Sequence, residues 1–251
     1  MDDPIRNQGW AARIKHREPT NYDLCGYTYT TTGHTDGGGL VGWEYMLDAV
    51  KLMCPNKRWH RAMDFGAGDG VLGMALIAHD MVDEVVFVER YQPAIDNCEL
   101  NLQQNNLHGH SVVKCDGVED LDAGLFDFVI SNPPARRNIP LGMLQQQQWI
   151  STSSGVTNYQ EKLNEFNSFK PHRMYDWDWA VHKTFYANIH KHLQPGADLF
   201  ILESGSGSNP LYWEWGDPVG LEIVEWVDSN AIPAMDVDYL LHLIASNPTN
   251  K

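Results

Sequence analysis

Long apolar runs are what this sequence lacks most plainly. No stretch of about 18 apolar residues occurs, so no membrane-spanning helix is expected, and the acidic, polar start Met1-Asp2-Asp3-Pro4 is unlike a secretory signal. Cysteine is scarce: Cys25, Cys54, Cys98 and Cys115 lie far apart with no C-x-x-C pair. Neither a disulfide framework nor a cysteine-based zinc motif is expected, and a reducing, cytoplasmic setting fits best. His108-x-His110 and His190-x-His192 have no cysteine or carboxylate at ligand spacing, so they read as surface histidines and no metal is expected. Basic residues are few, 18 Lys and Arg against 33 Asp and Glu, for a net charge of −15. Phosphates would be repelled over much of such a surface. The acid is concentrated, however. Residues 62–135 carry 2 basic against 13 acidic side chains and residues 193–251 carry 1 against 9, whereas residues 136–192 carry 7 against 4.

What is present begins with a polar stretch, residues 1–40, read as a loop-like arm. Apolar residues at Leu40, Trp43, Met46, Leu47, Val50 and Met53 then recur every three or four positions, as on one face of a helix that Pro55 ends. The following segments alternate: strand 62–66, helix 71–79, strand 85–89, helix 93–104, strands 111–115 and 126–131. Their continuous Val, Ile and Phe runs suit strands buried on both faces of a parallel sheet. Residues 135–176, rich in Gln, Ser and Asn, interrupt this rhythm and read as a lid or substrate-recognition insertion. Helix 177–193, a turn at Pro195-Gly196, and strands 199–202, 221–227 and 239–244 complete the reading, the last two as an antiparallel edge. One domain is expected over residues 1–251: an N-terminal arm and helix (1–60), a cofactor-binding core (61–134), the insertion (135–176) and the rest of the sheet (177–251).

The most informative stretch is Met63-Asp64-Phe65-Gly66-Ala67-Gly68-Asp69-Gly70, a glycine-rich turn between strand and helix. Such a turn lets the backbone approach a nucleotide-like ligand closely. A dinucleotide fingerprint, G-x-G-x-x-G, would place a third glycine where Val71 stands, which turns the reading away from NAD. The segment resembles the D-x-G-x-G-x-G first motif of the Rossmann-like S-adenosylmethionine-dependent methyltransferases, and the match continues in order from residue 62 to residue 134. The resemblance implies a doubly wound, seven-stranded, mostly parallel α/β sheet whose last strand is antiparallel and slips between its neighbours. It implies S-adenosylmethionine as cofactor, its methionine end held by the loop Asp64, Phe65, Gly66, Ala67, Gly68 and Gly70. Glu89, ending the second strand, would accept hydrogen bonds from the ribose hydroxyls. Asp116, with Gly117 beside it, would receive the adenine amino group.

The fourth strand ends in Ser131-Asn132-Pro133-Pro134, which resembles the N/D-P-P-Y/F/W motif of many amino-group methyltransferases. A nitrogen whose lone pair is delocalised is a weak nucleophile, so its N–H groups need acceptors that orient it. The Asn132 side-chain carbonyl and the Pro133 backbone carbonyl would serve as the catalytic pair, with Asn132 also touching the cofactor. Ala135 replaces the family's aromatic residue, so a ring would have to come from Tyr22, Tyr27, Trp149, Tyr159 or Tyr175. Arg136, Arg137, Lys170, His172 and Arg173 could steer a phosphate or carboxylate. The expected acceptor is a planar amide or amino nitrogen of a protein side chain or nucleic-acid base. The alternatives are a small-molecule N- or O-methyltransferase and a protein that binds the cofactor without using it.

Overall fold

The computed structural model describes residues 19–31, 43–115, 117–132, 185–204, 220–227 and 238–245. Their elements run β1 (Thr20–Leu24), β2 (Tyr27–Thr31), α1 (Trp43–Met53), β3 (Trp59–Phe65), α2 (Val71–Ala78), β4 (Val82–Glu89), α3 (Gln92–Gln104), β5 (Ser111–Lys114), β6 (Phe126–Ser131), β7 (Leu193–Ser204), β8 (Leu221–Val227) and β9 (Asp238–Ala245). The last seven strands form one sheet in the order β5-β4-β3-β6-β7-β9-β8. β3 to β7 pair in parallel, while β9 runs antiparallel between β7 and β8. This is the seven-stranded, mostly parallel arrangement expected, with the last strand inserted between its neighbours.

Alternation along the strands divides the core in two. Ala62, Val85, Phe87, Phe128, Ile130 and Phe200 pack with apolar residues of α1, α2 and α3. Their neighbours Met63, Phe65, Val86, Val88, Val129 and Ile201 pack with Phe185, Tyr186 and Ile189 on the other face. Both faces are therefore covered, which is why these strands read as unbroken apolar runs.

Four expectations need correction. Residues 20–31, read as part of a loop-like arm, form the antiparallel hairpin β1–β2. Its two-residue loop places Cys25 (φ 52°) and Gly26 (φ 91°) in the left-handed region, the type I′ arrangement that matches strand twist. The helix expected to reach residue 193 ends earlier. Residues 185–188 are helical, residues 189–192 form a 3₁₀ turn, and Leu193 already pairs with Phe126 in β7. Pro195-Gly196 is then a bulge within β7, because the register shifts between Phe126 and Phe128 and Gly196 takes φ 78°. β3 and β4 also begin three residues before their apolar runs. Each opens on a buried apolar residue, Trp59 or Val82, followed by polar residues that pair across the strands, as where the Arg61 guanidinium bonds Glu84 at 3.1 Å.

Histidines expected at the surface are partly inside. His192 is buried by the turn that enters β7, and the half-buried His110 accepts the Val85 N–H at 3.0 Å. Residues 135–176, and with them the expected lid, lie outside the described residues.

Candidate active site

Four adjacent parallel strands bring their carboxyl ends to one edge. Phe65 at the end of β3 pairs with Val88 on one side and with Ser131 on the other, and Glu89 pairs with Lys114. The chain runs outward from β3 through β4 to β5 and then returns to β6 on the other side, so the strand order reverses between β3 and β6. Open α/β sheets bind ligands in the crevice outside such a switch point. Gly66 leaves β3 and Asn132 leaves β6 there, side by side. The buried Ser131 hydroxyl donates to the Phe65 carbonyl at 2.9 Å and ties the two exits together.

The loop is held by its own backbone. The Gly66 and Ala67 N–H groups both donate to the Val88 carbonyl, at 2.9 and 3.1 Å, and the Gly70 N–H donates to Ala67 at 2.9 Å. Gly66, Gly68 and Gly70 take φ values of 71°, 55° and 89°, a region that side chains resist. Gly70 then caps α2, and the Met74 N–H donates to its carbonyl as a first helical bond at 3.0 Å.

Asp64 and Glu89 brace this loop. Asp64 is buried, and its Oδ2 accepts the Gly73 N–H at 2.8 Å, close to the positive end of α2. Its Oδ1 is buried and has no hydrogen-bond partner among the described residues. Burial pushes the Asp64 carboxyl up to about 7; the Gly73 amide opposes this and the nearby Glu89 adds to it. Glu89 is half-buried at the end of β4. Its Oε2 accepts the Gly68 N–H at 2.9 Å, and its Oε1 accepts the Arg90 and Tyr91 N–H groups at 2.7 and 2.8 Å. Of roughly four acceptor sites on a carboxylate, one on Oε2 is left for a ligand hydroxyl.

Gly117 follows β5 in extended conformation, and its carbonyl accepts the Asp120 N–H at 3.0 Å. Asn132 is half-buried at the end of β6. Asp116 and Pro133 lie outside the described residues, as do Ala135, Arg136, Arg137, Trp149, Tyr159, Lys170, His172, Arg173 and Tyr175. Of the rings considered for a target, Tyr22 is 44 % exposed on β1 and Tyr27 packs against the core. Gly73 also shapes the site, without a mark in the glycine spacing. A Cβ there would stand 2.3 Å from the Phe87 ring, so Gly73 allows α2 to lie close on β4. That is the part assigned to the third glycine of a dinucleotide loop, displaced here by two positions.

A second polar cluster lies nearer the amino ends of β3 and β6. Asp198 bonds the Trp59 indole N–H at 2.6 Å, His242 Nε2 at 2.8 Å and the Lys57 ammonium. Cys54 Sγ lies 3.9 Å from the same His242 nitrogen. A nucleophilic relay needs thiol and carboxylate on different ring nitrogens, so this is not one. Cys54, Asp198 and His242 do stand within metal-ligand reach of one another, their donor atoms all within 4.8 Å. Lys57 and Trp59 already compensate the Asp198 charge, and the cluster reads as a buried structural network.

The family described as Methyltransferase small domain matches residues 47–156. The ribosomal RNA large subunit methyltransferase G of Aeromonas salmonicida is 31 % identical over 97 residues, covering 38 % of this chain and 25 % of that protein. The release factor glutamine methyltransferase of Francisella tularensis is 34 % identical over 74 residues, covering 30 % and 26 %. The chain thus spans about a quarter of the length of these curated relatives. Among solved structures, the T. thermophilus 16S rRNA N2 G1207 methyltransferase in complex with AdoMet and guanosine shares the fold. Its TM-score is 0.54 at 18 % identity, covering 92 % of this chain and 50 % of that one.

Proposed function

We propose that this chain, whose residues 47–156 match the Methyltransferase small domain family, is an S-adenosylmethionine-dependent methyltransferase that acts on a planar amide or amino nitrogen of a macromolecule. The observation that carries the reading is the placement of the glycine loop, Glu89 and Asn132 at one sheet edge, around the switch point between β3 and β6.

The residues present suit the cofactor. A buried carboxylate oxygen without a partner, Asp64 Oδ1, and a half-buried carboxylate with acceptor capacity left, Glu89, flank a loop whose glycines keep side chains out of the crevice. Glu89 would take a ribose hydroxyl, the loop from Asp64 to Gly70 the methionine end, and Asp116 with Gly117 the adenine. When bound, S-adenosylmethionine supplies an electrophilic methyl group on a sulfonium. The chain's contribution is orientation. The Asn132 side-chain carbonyl and the Pro133 carbonyl accept the N–H groups of the target, turning its lone pair toward the donor and lowering the cost of pulling it out of conjugation.

Names of relatives support two acceptor classes, ribosomal RNA and a protein glutamine; the exocyclic amine of a base and a side-chain amide would each present a planar, conjugated NH2 to Asn132. Calorimetric titration with S-adenosylhomocysteine tests the cofactor assignment. Saturable binding is expected, weakened at least about tenfold in Glu89→Ala through loss of a charged hydrogen bond and of the Gly68 anchor. Wild-type affinity in that variant would count against the site. Asn132→Ala is expected to keep most of that affinity and to lose turnover. Unchanged turnover would sink the orientation mechanism.

A further inference from the structure

We propose that Asn101 is a positioning residue for the cofactor loop and that, through it, the N-terminal hairpin is a working part of the cofactor site. This rests on the cofactor reading above and extends it to an element that precedes the glycine loop by some forty residues in sequence.

Asn101 lies in α3 and is fully buried. Its Nδ2 donates to the Thr30 and Asp69 carbonyls at 2.9 and 3.0 Å. Its Oδ1 accepts the Thr30 N–H at 2.8 Å and Gln104 Nε2 at 2.9 Å. A primary amide has two N–H groups and one oxygen with two lone pairs, so this side chain is saturated. By bonding both backbone groups of Thr30 it acts as the next strand's residue would, and Asn97 adds a bond to the Thr30 carbonyl at 2.7 Å. The arrangement repeats at Thr28. Gln104 and Asn105 donate to its carbonyl at 2.6 and 2.7 Å, and Asn105 Oδ1 accepts its N–H at 2.9 Å. Positions 97, 101, 104 and 105 share one helix face, so α3 pairs with alternate residues of β2 through side-chain amides.

The consequence for the loop lies in the peptide joining Asp69 and Gly70. Asn101 holds its carbonyl, and its N–H donates to Ala67. A peptide plane fastened at both ends cannot rotate without losing a bond. Cys98 of the same helix presses on Gly70, where a Cβ would stand 2.7 Å from its sulfur. Tyr29, fully buried on β2, has Asp69, Cys98 and Asp64 as electrostatic neighbours. Hairpin, helix and loop thus form one packed stack, in which Asn101 bonds both of the others.

Asn101→Asp keeps the shape and removes both donors, setting a carboxylate oxygen against two carbonyls. The test compares it with Leu102→Ala, a buried apolar truncation on the same helix. Each folded variant is titrated with S-adenosylhomocysteine, and amide hydrogen exchange is followed over residues 66–73. Asn101→Asp is expected to bind at least about tenfold more weakly and to exchange faster at Gly70. Leu102→Ala should lower the unfolding temperature and keep wild-type affinity. Affinity within twofold of wild type in folded Asn101→Asp, or equal weakening in Leu102→Ala, overturns the proposal. If Asn101→Asp does not fold, the milder Asn97→Ala decides: about threefold weaker binding is expected, and unchanged binding overturns the role of the hairpin. No saturable binding by the wild type would instead overturn the cofactor reading, and the exchange comparison would then decide alone whether Asn101 holds the loop.

Discussion

Asp64 is stabilised as an anion by the Gly73 amide and penalised by burial, and burial wins, holding its carboxyl at about 7. In the unfolded chain the same group titrates near 3.8. Between these values the folded state keeps a proton that the unfolded state has lost, so raising the pH from about 4 to about 7 weakens the fold; above about 7 the effect is complete. Asp64→Asn removes this titration. Urea unfolding of both proteins across that range should therefore show wild type losing stability relative to the variant, on the order of 4 kcal/mol at most. Parallel stability curves would contradict it. Gly73 gives a second residue-scale expectation. Gly73→Ala gains helix propensity yet drives a methyl into the Phe87 ring, and should cost about 1–3 kcal/mol in unfolding free energy. Phe87→Leu in the same background should recover part of that loss, whereas no coupling between the two would contradict the packing argument. The alternate glycines at 66, 68 and 70 were legible from sequence because a turn of that kind demands them locally. Gly73 was not, because its reason is a ring on another strand.

Among the elements, β7 and β9 depend on the network around Asp198. Burial pushes the Asp198 carboxyl up, but bonds from His242, Lys57 and Trp59 outweigh it and hold the group below the usual carboxylate range. A depressed value means the stabilisation is present above about pH 4 and is lost as the pH falls further. At neutral pH, Asp198→Ala should destabilise by about 3 kcal/mol, leaving His242 and the Trp59 N–H without their acceptor. Denaturant midpoints for wild type and variant should converge at acid pH; a constant gap would exclude the titration. The parallel core strands were legible because both of their faces are apolar. The hairpin was not, since its Thr and Tyr residues carry no run of that kind and β2 finds its partners in the side-chain amides of α3. The starts of β3 and β4 escaped for a similar reason: Trp59 and Val82 are followed by charged residues that pair across strands, as Arg61 does with Glu84.

Over the whole molecule, the net charge of −15 sets a condition on the acceptor. Its excess acid lies in residues 62–135 and 193–251, while residues 136–192 carry an excess of base that includes Arg136 and Arg137 beside the Asn132-Pro133-Pro134 motif. An RNA acceptor would have to meet that basic segment, and its binding should then weaken steeply with salt. Arg136→Gln with Arg137→Gln should lower the slope of log affinity against log salt by about 1–2. Salt-insensitive binding would favour a protein amide. The central claim is methyl transfer to a macromolecular nitrogen, and it is tested most directly by incubating the protein with methyl-labelled S-adenosylmethionine and cell extract resolved into RNA, DNA, protein and metabolite fractions. Label is expected on nitrogen in the RNA or protein fraction, present with wild type and lost with Asn132→Ala. Label confined to metabolites, or none from a protein that binds S-adenosylhomocysteine, would contradict it.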